Sequence, residues 1–476
     1  MKLRSKITVF YDCDNDGICS GVMMCRYLRD FTDNVHHIIF PRSSGHGLKG
    51  KEIPDTGLLI IVDSSTNDVA ECLALKERGI EVIIIDHHPI TTDNPYVTLV
   101  NNQDGNYPNT TLSGSGVVLK VLEVMDEQLY EMKHFQYYDL AAVGIIGDMM
   151  SLNNPETRTI IAQGFSDIQN EGIKKIFMSK LVDLYTINTM NIAFALVPII
   201  NGATRMNQSE KVIELLLCDD PNQIAALAKE CIKLNDSRKV KQQVAFDNVQ
   251  FDNTHNIIFC VENELAGNMR GLIAANLANE HQKPAIVVSL NEETGTYEGS
   301  ARGYNTVNFR DILSQSELVF AEGHPNAFGV QVSKDDVDAL IEYCNRTLKD
   351  TEQVLYYDLE ITPEEITNQF MEDITILNRI TGKDCDAIKV KVNGLSVAER
   401  KIMGKNGGNV KLVTEEKINA VKFGVADTYA DEVGIFDKVD VVGQLQLNKW
   451  YNNSRDIKAW VTDVQILMDD YRRSGV

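Results

Sequence analysis

Five acids and two histidines stand where aliphatic runs break off. The first run, residues 7–11, ends in "DCDNDG", with Asp12, Asp14 and Asp16 at alternate positions; "LLIIV" ends at Asp63, and "IEVIII" ends in Asp86, His87 and His88. One Asp after such a run is ordinarily a helix cap or a turn former. Gathered in a small volume with two imidazoles, five carboxylates repel one another and are driven to keep their protons. Two divalent cations would remove that repulsion. Mixed carboxylate and imidazole donors suit Mn²⁺ or Mg²⁺, and no cysteine spacing typical of zinc accompanies them. A pair of such ions about 3.5–4 Å apart is a recurring device for displacement at phosphorus. The chemistry to expect is therefore phosphoester hydrolysis.

The elements that must position these groups are legible too. Each run is short, rich in β-branched residues and followed by a helical pattern, as expected of a parallel sheet covered on both faces with its site at the carboxyl ends of the strands. Helical periodicity continues in "GSGVVLKVLEVMDEQLYEM" and "YDLAAVGIIGDMM", and again from about Glu210 to Val249, broken only at "DDPN". A second α/β unit begins with "NIIFCVE" and contains "KPAIVVSL" and "YEGSARGY". Strand-period alternation in "AIKVKV", "NAVKFGV" and "KVDVVGQLQL" predicts a small β barrel at the end.

A chain of 476 residues exceeds what one core serves, so two or more domains are expected. No run of about 18 apolar residues occurs, and the N-terminus meets acids too early for a signal peptide, which argues against a membrane or export. The nine cysteines are scattered and read as reduced thiols of a cytoplasmic protein. The net charge of −22 opposes non-specific attraction to polyanions, although a basic groove or bound cations can reverse the sign locally.

In order, D-x-D-x-D-G (Asp12 to Gly17), Asp63, D-H-H (Asp86 to His88) and "GIIGDMM" with Asp148 resemble the DHH phosphoesterase superfamily and, within it, the RecJ-like exonucleases, over almost the whole length. "FPRSSGHGLKG" resembles the P-x-R…G-Y-G-L segment of that group, "LVPIINGATRM" its P-x-I-N-A-x-G-R-M, and "KLNDSRK" its L-N-x-x-R-K. "GSARGYN" and "EGHPNAFG" resemble its S-A-R and G-G-H-x-x-A-x-G elements, and "LQLNKWYNN" its Asn-x-Trp signature near the end of the oligonucleotide-binding barrel. Departures exist. The N-terminal extension of typical bacterial relatives is expected to be missing, Ser-Ser follows Asp63 in place of Cys-Gly, Glu322 replaces the first Gly of Gly-Gly-His, and the loop before the final barrel lacks Pro-Phe-Gly.

The resemblance implies a catalytic domain over 1–206, a helical connector over 207–249, a DHH-associated substrate-binding domain over 250–350 and an OB-like nucleic-acid-binding barrel over 351–476. It implies that Asp12, Asp14 and Asp63 hold one cation, and that Asp16, Asp63, His87 and Asp148 hold a second, with Mn²⁺ favoured and Mg²⁺ the alternative. Asp86 would fix a histidine tautomer from behind, and His88 would face the scissile phosphate. Arg302, Gly323 and His324 would clamp substrate phosphates. Arg42, Arg158 and Arg205 are further candidates, each otherwise an ordinary surface ion pair. Trp450 would stack a base or else fill the barrel core. The implied activity is two-metal 5′ to 3′ exonucleolysis of single-stranded DNA, in repair, recombination or replication, by a monomer served by a single-strand-binding protein or a helicase. The competing readings are a phosphodiesterase for short oligonucleotides or cyclic dinucleotides, an inorganic pyrophosphatase, and a replication scaffold without catalysis. The first two have no need of a polymer-binding barrel, and the third would not keep every ligand type.

Overall fold

The computed structural model describes residues 6–474 except 264–266, 305, 307, 349–354, 405–406 and 454–457, with backbone alone at 245, 268, 449–453 and 458–460. The chain divides into two compact units, Met1–Arg238 with Asn378–Ala387, and Lys239–Leu377 with Ile388–Val476.

The first unit is built on five strands, β1 (Ile7–Tyr11), β2 (Val35–Ile39), β3 (Leu58–Val62), β4 (Glu81–Asp86) and β5 (Thr98–Asn101), in the order β2-β1-β3-β4-β5 and all parallel. Successive side chains of a strand face opposite ways. Val9, Tyr11, Val62 and Ile85 therefore pack on one face against helices Asn15–Arg29 and Gly114–Leu129, while Phe10, Leu59, Ile61 and Ile84 pack on the other with Cys72 and Leu75 of helix Val69–Glu77. Both faces are dry, as the uninterrupted aliphatic runs require. The expected interruption at "DDPN" separates helices Ser209–Leu217 and Pro221–Asn248.

In the second unit, β6 (Ile258–Val261), β7 (Ala285–Asn291), β8 (Thr296–Arg302), β9 (Val319–His324) and β10 (Ala327–Ser333) form a sheet of order β6-β7-β8-β10-β9, in which only β6 and β7 run parallel. The barrel follows from β11 (Leu359–Ile361), β12 (Val390–Met403), β13 (Asn409–Thr414), β14 (Ile418–Phe423), β15 (Lys438–Asn453) and β16 (Lys458–Arg473). Its order is β11-β12-β13-β14-β16-β15, and β15 also pairs with β12, which closes the sheet on itself. Register shifts at Val392/Leu395 and Val397/Glu399 let one long strand, β12, serve β11, β13 and β15. No helix among the described residues is long and apolar enough to cross a membrane.

Candidate metal centre

The carboxyl ends of β1, β3 and β4 bring the acids together, each held differently. Asp12 is buried just after β1. Asp14 is the N-cap of helix Asn15–Arg29, where its Oδ1 accepts from the amides of Asp16 and Gly17 at 3.0 Å each. It is thus a cap and still has a second oxygen to offer. Asp16, in the first turn, accepts from Ser113 Oγ at 2.8 Å and from the Ser115 amide at 3.1 Å. Asp63 follows β3 in the left-handed region, φ 62°, with its amide tied to Ile85 O at 2.9 Å. This turn swings the carboxylate over the sheet edge.

Behind the histidines, Asp86 is fully buried and saturated. Its Oδ1 accepts from the His87 amide at 2.7 Å and from His88 Nδ1 at 2.7 Å; its Oδ2 accepts from Thr66 Oγ1 at 2.6 Å, and Asn101 donates to that hydroxyl at 3.0 Å. Burial works against the charge of Asp86, but the hydrogen bonds and charge of His88, with Thr66, hold its carboxyl well below the usual range. Burial likewise opposes charge on His88, and the bond to Asp86 overrides it, raising that imidazole to about 8. His87 goes the other way, lowered by burial, and its Nε2 stands 3.2 Å from Asp63 Oδ1 and 3.5 Å from Asp148 Oδ2. Asp148 itself closes helix Tyr138–Gly147.

Ligand atoms of Asp12, Asp14 and Asp63 lie within 4.8 Å of one another, as do those of Asp16, His87 and Asp148, and those of Asp63, Asp86, His87 and His88. Burial and mutual repulsion push Asp14 up to about 6 and Asp148 up to about 8, and raise Asp63 strongly. Asp63 Oδ1 is buried and, among the described residues, accepts no hydrogen bond, the nearby His87 Nε2 lying close without donating to it. An unsatisfied buried carboxylate oxygen, among carboxylates that repel one another and beside the imidazole of His87, fits hard or borderline divalent cations. Glycines keep the centre tight: a Cβ at Gly17 would lie 2.6 Å from Asp12 O, and one at Gly114 would lie 2.6 Å from Asp63 Oδ1.

Three family descriptions match in order: the DHH family N-terminal domain over 6–145, the DHHA1 domain over 254–350, and the RecJ OB domain over 357–458. The chain is a RecJ-like DHH protein. Its relatives include YorK of Bacillus subtilis, named as a prophage-derived single-strand DNA-specific exonuclease, 26% identical over 94% of this chain and 85% of that one. The single-stranded-DNA-specific exonuclease RecJ of the same organism is 27% identical over 97% of this chain and 62% of its own length. RecJ of Thermus thermophilus, solved with Mn²⁺, shares the fold with a TM-score of 0.75 at 23% identity, covering 99% of this chain and 69% of that one. Its Mg²⁺ complex gives 0.71 at 22%, covering 99% and 68%.

The remaining sequence candidates of this RecJ-like chain are placed as follows. Arg42 opens a short 3-10 turn, exposed, and its charge acts on Asp14. Arg158 is committed elsewhere, donating to Ile380 O at 3.0 Å and to Cys385 Sγ. Arg205 sits half-buried at the end of helix Val197–Arg205. Arg302 is the last residue of β8 and donates to Ala301 O at 2.7 Å. The stretch "EGHPNAFG" forms a hairpin: Gly323, φ 131°, and His324 end β9, and Pro325 and Asn326 turn into β10. Arg310 donates to Gly323 O. Trp450 lies on β15 opposite Val461, its side chain outside the described residues.

Several residues escape the sequence reading. His46 places Nδ1 3.3 Å from Asp12 Oδ1, and its ring centroid lies 4.7 Å from that of His88. Hydrogen bonding to Asp12 raises its imidazole. It stands where the resembling group has Tyr in G-Y-G-L, and that exchange is the signal that marks it. Thr66, Asn101, Ser113 and Ser115 are polar groups of ordinary sequence context that only the fold brings beside the acids.

Proposed function

We propose that this RecJ-like chain is a metal-dependent exonuclease that hydrolyses single-stranded DNA from its 5′ end and releases 5′-mononucleotides. The observation that carries the reading is the pair of acidic ligand groups, Asp12, Asp14 and Asp63 in one and Asp16, His87 and Asp148 in the other, gathered at the carboxyl ends of a parallel sheet with His87 Nε2 3.2 Å from Asp63, in a chain that also carries an OB barrel. Asp12, Asp14 and Asp63 would hold one cation and Asp16, Asp63, His87 and Asp148 the other. Bound there, the cations supply a more acidic water and neutralise charge on the phosphoryl oxygens.

The protein's own share is orientation and charge. Ser113 and the Ser115 amide fix the Asp16 carboxylate, and the cap bonds fix that of Asp14. With Nδ1 given to Asp86, His88 has only Nε2 to present, and as a cation it faces a phosphate favourably. Arg302, Gly323 and His324 would clamp substrate phosphates, and Trp450 would stack a base. Arg42 and Arg205 remain candidates for phosphate contacts. In the same reading the protein works as a cytoplasmic monomer on strands exposed by a helicase or held by a single-strand-binding protein.

A time course on single-stranded DNA labelled at the 5′ end, and separately at the 3′ end, with Mn²⁺ and with Asp63→Ala as control, tests this. Immediate release of a labelled mononucleotide from the 5′ label alone, lost in the variant, is expected. Rapid cleavage of dinucleotides with long strands left intact would transfer the chain to the short-oligonucleotide class.

A further inference from the structure

Residues 378–387 leave their sequence neighbours and belong to the first unit. Their attachment is specific. Arg379 donates through Nε to Ile187 O at 2.9 Å and through a terminal nitrogen to Phe165 O at 3.2 Å, with its guanidinium 5.9 Å from the centre of the Phe165 ring. Its own carbonyl accepts from the Thr189 amide at 3.1 Å, and the Thr381 amide donates to Thr189 Oγ1 at 3.3 Å. Arg158 takes Ile380 O, and Ile380 and Cys385 pack against the core of this unit. Between these anchors the chain makes a tight hairpin, Gly382 and Cys385 exchanging both backbone bonds at 2.8 and 3.1 Å, with Asp384 at φ 59°.

The tip of that hairpin meets the loop after Asp148. Lys383 O accepts from the Leu152 amide at 2.8 Å, and a Cβ on Gly382 would lie 2.9 Å from the Leu152 side chain. Lys383 is exposed, and its ammonium has no ion-pair partner among the described residues. Its charge nonetheless acts on Asp148. In a chain with 22 more acids than bases, a lysine anchored through its own carbonyl to the loop that follows Asp148, with no carboxylate paired to its ammonium among the described residues, is a group available to another anion.

We propose that Lys383 binds a substrate phosphate next to the scissile one, and that Arg158 and Arg379 serve by fastening the segment that carries it. The identity of that anion, a phosphodiester of single-stranded DNA, rests on the function proposed above. Lys383 is then a substrate-binding residue that reaches the catalytic unit from a part of the chain more than 200 residues beyond the last metal aspartate.

The test is steady-state digestion of a 5′-phosphorylated oligothymidylate by the full chain in Mn²⁺ over a series of NaCl concentrations, for wild type, Lys383→Ala, Lys383→Glu and Lys383→Arg. Loss of one phosphate contact is expected to lower kcat/KM roughly tenfold, mainly through KM, and to flatten the slope of its logarithm against log salt by about 0.7. Lys383→Glu is expected to be worse, and Lys383→Arg to recover most of the loss, with melting temperature and the Mn²⁺ concentration for half-activity unchanged throughout. Equal kcat/KM and equal salt slope in wild type and Lys383→Ala would overturn the proposal. So would a loss accompanied by a higher Mn²⁺ requirement, which would assign Lys383 to the metal centre. A wild-type protein that digests no single strand overturns the exonuclease reading itself, and the substrate named here falls with it.

Discussion

Gly144→Ala is a change of one methyl group with two separable effects. Gly144 lies inside helix Tyr138–Gly147, and a Cβ there would stand 2.0 Å from Ser115 Oγ and 2.2 Å from Asp16 Oδ1. Helix propensity favours Ala over Gly by about 1 kcal/mol. Overpacking of a dense interior costs about 1–3 kcal/mol, so the net loss of stability is at most about 2 kcal/mol, which for a unit of this size lowers melting by roughly 4–8 °C. The geometric effect is larger. To restore ordinary contact the Asp16 carboxylate must retreat by about 1 Å, several times the tolerance of about 0.2 Å that a metal–ligand distance allows. Disturbing a ligand's support typically weakens metal affinity about 10–100-fold. Melting curves recorded over a Mn²⁺ titration read both effects from one sample: a modest drop without metal, and a half-saturating concentration moved upward by one to two decades. A variant that melts with wild type and saturates at the same Mn²⁺ concentration would refute the claim that Gly144 makes room for Asp16.

Three further outcomes are expected. Asp86→Asn disturbs the anchoring of both histidines without removing a proposed ligand, so nuclease rate at saturating Mn²⁺ should fall about 10–100-fold while the fold survives; a rate within twofold of wild type would count against that role. Asp126→Ala leaves Tyr27 Oη, 2.8 Å away, and His134 Nδ1, 2.7 Å away, without their buried acceptor, and should cost about 3 kcal/mol or more in urea unfolding. Stripping the metal exposes the strain of the acidic centre: Asp14 and Asp148 hold protons better when folded than unfolded, so their contribution to stability is full below about pH 4 and is lost as pH rises through about 6 for Asp14 and about 8 for Asp148, and Asp63, raised by burial and its acidic neighbours, acts in the same direction. The melting-temperature gain from Mn²⁺ over EDTA should therefore be larger at pH 8 than at pH 5, and the reverse order would sink the argument.

The acids of the centre are legible in the sequence because charge at the end of an aliphatic run is costly without a purpose, and three such ends in one parallel sheet must converge. The sheet's inner strands are legible for the same reason. Its edges are not: β2 reads "VHHII" and β5 "TLVN", short and partly polar, without the signal that double-sided burial imposes on β1, β3 and β4. His46 sits in an irregular loop held by Lys51 to Gly45 O and by Asp68 to the Leu48 amide, and no periodicity reports such contacts. Residues 378–387 read with the final barrel because local sequence says nothing of a ten-residue stretch returning to a surface formed some 200 residues earlier. Arg158 reads as a candidate phosphate ligand for the same reason, since its partner comes from that returning stretch.

Asp14 caps a helix with one oxygen and offers the other to the centre, so a single carboxylate answers to two selective pressures of unequal permanence. A descendant that abandoned hydrolysis would be released from the second and not from the first. Asn and Ser satisfy a cap, and Ala does not. Drift at position 14 in such a lineage would run toward Asn or Ser, whereas position 148, whose side chain caps nothing, would be free to take almost any residue. The residue found at position 14 would then record the loss of chemistry while the helix it begins persists.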